Sequence, residues 1–303
     1  VETLVDGLKD MTDYMGKVSY LARQGARRLK GAAGCPNCGH HGYETRDRKA
    51  LVSELRGCTR CLLMYRYPTD PVQDSVDFYQ EDYEQGFTTD MPDDVGLNLL
   101  TDTSFAGHEK DYAPLIALVG DLGIAPGMRI LDFGCSWGFG SWQFAQAGHD
   151  VKSFEISRPR ARYAREKLGL DVIDDVGALA AATHLHGTCD LFFSNHVMEH
   201  VPSPSDAVIT ARRLLKPGGL FVAITPNGSL GYRDAAPEGW HRFWGKVHPN
   251  MLNDAFWARE FAGDPHFIGS LPDSRDRLVV WAEAPCQMQD SLRGDQLICA
   301  AKL

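Results

Sequence analysis

From about Phe105 to the end of the chain, continuous apolar runs alternate with helix-like stretches. In order these are "MRILDF", "GSWQFAQAG", "VKSFE", "RPRARYAREKLG", "LDVI", "CDLFFS", "SDAVITARRLL" and, after "KPGG", "LFVAIT". A run apolar at every position has no face to offer to water, so it reads as a strand covered on both sides, with the intervening helices as the cover. The pattern therefore predicts a doubly wound, Rossmann-like α/β sheet over residues 105–303, mostly parallel. Two final runs, "RLVVWAEA" and "DQLICAA", are joined too closely for a parallel crossover. They predict an antiparallel hairpin at the C-terminal edge.

A different pattern precedes this region. Cys35 and Cys38 form one CxxC pair, and Cys58 and Cys61 form another after nineteen intervening residues. Zinc takes four soft donors at tetrahedral corners, which two facing knuckles supply, so residues 34–70 predict a small zinc ribbon with strands near Leu51–Leu55 and Leu62–Tyr67. With every corner a thiolate, the Zn2+ is expected to be structural. His40 and His41 read as loop residues. In residues 1–33, Leu4, Leu8, Met11, Met15, Val18, Ala22, Gly25 and Leu29 step by four and three along one face, predicting an amphipathic helix and a candidate homodimer contact. Residues 71–104 interleave Phe78, Tyr79, Tyr83 and Phe87 with Asp74, Asp77, Glu81, Asp82 and Glu84, and read as a connector or lid.

The formal charge of -9 over 303 residues gives no basic field to hold a phosphate backbone, so nucleic acid is an unexpected partner. A local group of Arg23, Arg27, Arg28 and Lys30 is expected to complement a helix end. No apolar run approaches the ~20 residues that span a bilayer, and no secretory signal pattern opens the sequence. The remaining cysteines, Cys135, Cys189, Cys286 and Cys299, sit among apolar residues as reduced core thiols, so the expected compartment is the cytoplasm.

The stretch "LDFGCSWGFG" at residues 131–140 ends the first strand of the α/β region in glycines. No Lys-Ser/Thr follows to make a P-loop, and Gly134, Ser136 and Gly138 do not match the dinucleotide spacing. Asp132 just before the turn would repel phosphate and welcome a cation. Glu155, at the end of the second strand, stands where a carboxylate can accept ribose hydroxyls. Asp174 and Asp175 follow the third strand, where a side chain could meet an adenine amino group. A nucleoside with a cationic amino-acid tail fits these acids, and S-adenosyl-L-methionine is such a molecule.

"LDFGCSWGFG", "FEIS", "FFSNHVMEHVPSP" and "LLKPGGLFVAITPN" together resemble the class I S-adenosylmethionine-dependent methyltransferases, nearest the small-molecule branch related to ubiquinone-type enzymes. The resemblance covers roughly residues 105–230. The ribbon followed by "YPTDP" and "FYQEDY" is similar to the zinc-containing N-terminal region of members that act on sugars or natural products. The resemblance implies that Asp132 and Gly134 contact the methionine end and that Glu155 takes the ribose hydroxyls. It also places Asp175, or else Asp174, at the adenine, with Asn195 and His196 below the sulfonium. Ser136 stands where the family usually has glycine.

Methyl transfer needs alignment, exclusion of water and, for some acceptors, a base. The segment "GYRDAAPEGWHRFWGKVHPNMLNDAFW" offers Trp240, Trp244 and Trp257 as apolar walls for a small-molecule acceptor. His248 and His196, then His241, are the candidate bases, while His200 reads as a packed helix-start residue. The function expected is methyl transfer to a sugar, a nucleotide-linked sugar or a natural-product scaffold. The competing readings are an RNA methyltransferase gripping substrate through the ribbon, and an inactive zinc-stabilised binding scaffold.

Overall fold

The computed structural model describes residues 23–29, 34–50, 52–70 and 90–303. The N-terminal seam from Leu4 to Ala22, on which the homodimer expectation rests, and the acidic aromatic positions from Asp74 to Phe87 lie outside the described residues.

Among the described residues, two sheets organise the chain. A four-stranded antiparallel sheet joins β1 (Tyr43–Lys49), β2 (Ser53–Cys58) and β3 (Met64–Tyr67) to a distant strand, β9 (Asn250–Met251), in the order β1-β2-β3-β9. The larger sheet holds β4 (Arg129–Phe133), β5 (Asp150–Phe154), β6 (Val172–Ile173), β7 (Cys189–Asn195), β8 (Leu215–Pro226), β10 (His266–Leu271), β11 (Gln287–Gln289) and β12 (Gln296–Lys302). Its order is β11-β10-β12-β8-β7-β4-β5-β6. The pairs β4–β5, β4–β7, β5–β6 and β7–β8 are parallel, and β12 runs antiparallel to both β8 and β10.

The apolar runs bury both faces, as their composition requires. Leu131, Phe192, Phe221, Ala223, Leu297 and Cys299 point into one core layer with Val208 and Ala211 of the helix Pro204–Leu214 and Trp257 of the helix Asp254–Glu260. Their sequence neighbours Ile130, Leu191, Phe193, Val222 and Ile298 point the other way, onto Leu118 and Val119 of the helix Ala113–Asp121 and Trp281 of the helix Arg275–Glu283. Alternate residues of one strand thus serve opposite layers. Each fully buried large aliphatic or aromatic side chain contributes about 1.5–3 kcal/mol.

The expected antiparallel edge exists, with one of its two segments reassigned. "DQLICAA" supplies β12, but "RLVVWAEA" lies almost wholly in the helix Arg275–Glu283. Its β-branched Val279 and Val280 suggest a strand. The buried residues, however, are Ser274, Leu278 and Trp281, at helical spacing, while Val280 is 55% exposed. The partner of β12 is β10, and β11 forms the sheet edge. Cys286, expected in the core, is exposed in the turn before that edge strand, while Cys135, Cys189 and Cys299 are buried.

The helical residues 23–29 lie against the small sheet through polar contacts. Arg27 pairs with Asp70, Arg28 with Glu54 at 2.7 Å, and buried Gln24 donates to Asp70. Two of the basic residues assigned to a helix end are therefore clamps, and the seam residue Leu29 is exposed.

Candidate functional site

The sheet order reverses at β4, which has β5 on one side and β7 on the other. In open α/β sheets this switch point, at the carboxyl ends of the strands, is where ligands collect. On the β5 side the chain turns through Gly134 and Gly138, both at positive φ (89° and 93°). A Cβ at Gly134 would lie 2.3 Å from Val197 Cγ2, so only glycine fits. Ser136 also adopts positive φ (54°), the conformation for which a glycine pays no steric cost. The departure from the family pattern is held by bonds: Ser136 N donates to Glu155 Oε2 at 2.8 Å, and Arg160 donates to Ser136 Oγ at 2.8 Å. Ser157 N donates to Glu155 Oε1 at 2.7 Å, so both carboxylate oxygens are anchored by backbone N–H groups. Burial pushes the Glu155 carboxyl up, and these N–H groups and Arg160 oppose it.

Asp132 at the end of β4 is buried and accepts from Ser141 Oγ at 2.6 Å, which in turn accepts from Ser153 Oγ at 2.8 Å. Burial raises its pKa to about 6, helped by the charge of Glu155 and opposed by Ser141. Asn195 closes β7 and donates to Tyr112 Oη at 3.2 Å. Asp132, Glu155 and Asn195 thus end β4, β5 and β7 around the switch point, and Tyr112, Ser141 and Arg160 join them. Sequence reasoning missed these three, because each reaches the site from a helix or a helix start whose pattern reads as ordinary packing. The adenine candidates are both engaged. Asp174 is ion-paired to Arg165 at 2.6 Å, and Asp175 caps the helix Val176–Ala181 by accepting from Ala178 N at 2.8 Å.

On the β7 side, His196 follows Asn195 with φ of 55°, a strained value for a side chain of this size. Its Nδ1 stands 3.5 Å from Oε1 of Glu199, a carboxylate 1% exposed whose nearest polar neighbours among the described residues are histidine rings. Burial alone would lower His196, but hydrogen bonding to Glu199 and then the charges of Glu199 and Asp295 outweigh it, and the shift is upward. His200 Nε2 lies 3.8 Å from the same oxygen, and the ring of His248 packs 4.9 Å from that of His200. His200 sits in a turn before the helix Pro204–Leu214, not at a helix start, and its Nδ1 bonds to Val247 O at 2.8 Å. The structure therefore brings His196 and His248 close together around Glu199, a residue that no sequence motif singles out.

His241 belongs to a different neighbourhood. Its Nδ1 is 2.5 Å from Asp47 of β1, an oxygen also bonded by Trp244 Nε1 at 2.8 Å. Trp240 and Trp244 form a core with Leu55, Met64 and Met251 between the small sheet and the segment 230–251, and Trp257 lies in the main core. The three tryptophans expected to wall an acceptor pocket are buried at 2%, 1% and 0% exposure, so they hold the segment in place rather than face a ligand.

Cys35, Cys38, Cys58 and Cys61 gather with their sulfurs within 4.8 Å of one another. The Cys35–Cys61 and Cys38–Cys58 separations of 3.5 and 3.6 Å approach the ~3.8 Å edge of a tetrahedron with Zn–S of about 2.3 Å. Arg60 N and Cys61 N donate to Cys58 Sγ, a typical outer support for a ligand thiolate. The donor set fits zinc and leaves no open corner.

Among known proteins, a family described as a methyltransferase domain matches residues 106–263, just over half of the chain. A ubiquinone biosynthesis O-methyltransferase from Roseobacter denitrificans is 34% identical over 154 residues, which is 46% of this chain and 61% of that protein. The protein of the same name from Ralstonia nicotianae is 35% identical over 160 residues, 48% of this chain and 66% of that protein. The match thus takes in less than two thirds of either relative. In fold, the chain is similar to phosphoethanolamine N-methyltransferase 2 of Haemonchus contortus in complex with S-adenosyl-L-methionine. The TM-score is 0.51 at 14% identity, covering 79% of this chain and 61% of that one. Among the described residues no helix is long and apolar enough to cross a membrane.

Proposed function

Because the chain belongs to the methyltransferase-domain family, we propose that it transfers a methyl group from S-adenosyl-L-methionine to an oxygen of a small-molecule acceptor. The acceptor class is a sugar, a nucleotide-linked sugar or a natural-product scaffold. The observation that carries this reading is the pair of buried carboxylates Asp132 and Glu155, which end adjacent parallel strands on either side of a glycine turn. A cationic nucleoside complements them.

In this reading Gly134 and Gly138 let the backbone approach the methionine end, Asp132 faces its positive charge, and Glu155 accepts the ribose hydroxyls. Asp175, or Asp174 on release from Arg165, meets the adenine. Asn195 and His196 lie below the sulfonium. Bound, the cofactor supplies a methyl carbon already activated by its sulfonium, which the acceptor oxygen displaces in line while the C–S electron pair stays on sulfur. The protein's part is alignment, exclusion of water and removal of the acceptor proton. We assign the last role to His196, the candidate imidazole at the carboxyl end of β7. The O-methyltransferase names of the relatives support an oxygen acceptor. Cys35, Cys38, Cys58 and Cys61 hold a structural zinc in residues 34–70, next to a methyltransferase unit in residues 105–303.

Titration calorimetry with S-adenosylmethionine tests this. Binding heat with one site per chain is expected, and absence of heat in a folded, zinc-loaded preparation would sink the proposal.

A further inference from the structure

Glu155 is held from two directions. Ser157 N donates to its Oε1 at 2.7 Å, a bond that the turn after β5 makes by itself. Ser136 N donates to its Oε2 at 2.8 Å from the neighbouring turn, the one after β4. Each oxygen keeps a second lone pair, so the carboxylate can still accept from a hydroxyl while the two N–H groups fix its plane.

A glycine at position 136 would offer the same N–H without strain. Ser136 instead sits at φ 54°, a left-handed conformation that disfavours a side chain and persists where its surroundings over-determine it. What the side chain adds is a hydroxyl, and that hydroxyl accepts from Arg160 Nη1 at 2.8 Å. Arg160 is in an equally demanding place. It lies in the first turn of the helix Arg158–Leu168, 2% exposed, with no acidic residue in that turn. The helix dipole is positive there, so a buried guanidinium needs an anion. Burial pushes the Glu155 carboxyl up, the Ser157 and Ser136 N–H groups pull it down, and the charge of Arg160 pulls it down further. Arg160, Ser136 and Glu155 thus tie the turn after β4 to the turn after β5, and the planar guanidinium gives that tie a fixed direction.

We propose that Arg160 is a positioning residue for the cofactor: through the Ser136 hydroxyl it seats Ser136 N against Glu155, and so fixes the carboxylate in the orientation that the ribose hydroxyls need. This rests on the assignment of Glu155 to the ribose made above. Enclosed as it is, Arg160 acts on the ligand through Ser136 and Glu155. The pairing also accounts for a serine where the family usually has glycine, since residues 136 and 160 work as one unit.

The test compares two ligands on the full chain by calorimetry: S-adenosylmethionine and its 2′-deoxyadenosyl analogue, which lacks one ribose hydroxyl. The wild type should prefer S-adenosylmethionine at least ~10-fold, as a hydrogen bond to a carboxylate supports. Arg160→Met should lose most of that preference. Ser136→Gly cuts the same link while relieving the strained turn, so it should melt no lower than the wild type and still lose preference. Adding Arg160→Met to Ser136→Gly should change the preference little further, because the two residues act in series. Thermal melting on the same samples reports folding, and if Arg160→Met folds poorly, Ser136→Gly decides. Folded variants that keep the wild-type preference, or that bind both ligands more weakly by the same factor, would overturn the positioning role. A wild type that binds both ligands equally would remove Glu155 from the ribose and this role with it, leaving the methyltransferase reading in place. A wild type that gives no heat with either ligand would remove that reading as well.

Discussion

The two sides of the switch point are built on different principles. On the β5 side, Glu155 receives Ser136 N and Ser157 N, and Asp132 receives Ser141 Oγ, so each acid is satisfied by groups within about twenty residues of it. On the β7 side, Glu199 faces histidine rings rather than backbone N–H groups among the described residues, and one of those rings comes from residue 248. That ring is carried by a segment joined to the ribbon through β3–β9 pairing and the Trp240–Trp244 core. A carboxylate held by nearby backbone N–H groups is preorganised whatever happens elsewhere. A carboxylate framed by a remote segment is only as ordered as the structure that carries the segment. The side proposed for the cofactor should therefore be robust, and the side proposed for the acceptor should depend on the small sheet.

The largest effect that could break this contrast comes from the zinc proposed for the four-cysteine cluster. Structural zinc contributes on the order of 10 kcal/mol to small zinc folds, so stripping it with a chelator should unfold much of residues 34–70. Because β9 belongs to the same sheet, hydrogen exchange should speed up at residues 43–67 and at Asn250 and Met251, whose pairing partners are Tyr65 and Met64. Amides of β4 and β5 should stay protected, and affinity for S-adenosylmethionine should change little. Equal deprotection of both sides would show that they are one cooperative unit.

Gly134→Ala should come next, since it is the place where the two sides touch. The added methyl would overlap Val197 of the β7 side, in a backbone conformation that costs a non-glycine residue about 1–2 kcal/mol. With about 1–3 kcal/mol for overpacking, a total loss of about 2–5 kcal/mol is expected, read as a lower melting temperature together with lost cofactor binding. An unchanged melt would mean that Val197 yields easily and that the two sides are not in firm contact. Glu155→Ala acts on the β5 side alone. It should weaken cofactor binding by about 1–3 kcal/mol by calorimetry.

The same contrast explains what could be read from the sequence. The cysteine cluster is two CxxC pairs, and the glycine turn with Asp132 and Glu155 follows consecutive strand ends, so sequence spacing maps directly onto space. The apolar runs gave the sheet for the same reason, except at 277–284, where two valines imitate a strand and only the spacing of Leu278 and Trp281 reveals a helix. Glu199, His200 and His248 meet across almost fifty residues, and no periodicity announces such a meeting. The tryptophans of 240–257 misled in the opposite direction. A dense aromatic segment suits a pocket wall and an interdomain core equally well, and burial alone separates the two.

The smallest expected effect concerns Asp132 and sharpens the β5 side. Its pKa is raised to about 6 from an ordinary value of 3.8, first by burial and then by the charge of Glu155, against the hydrogen bond from Ser141. Tyr112 and Cys135 also face it, and burial raises both so that they stay neutral near pH 7. A carboxyl raised on folding costs stability as pH rises from about 3.8 to about 6, because the unfolded chain releases the proton first. The cationic cofactor reverses that preference, since it favours the ionised form. Affinity for S-adenosylmethionine should therefore increase by up to about tenfold between pH 5 and pH 7, and level off above. Asp132→Asn should bind more weakly, show a flatter profile across that range, and lose the decline in intrinsic stability between pH 4 and 6. A wild-type profile that is flat while Asp132→Asn still binds weakly would mean that the carboxylate is already ionised at pH 5. The charge of Glu155 would then be felt less at Asp132 than their common burial implies.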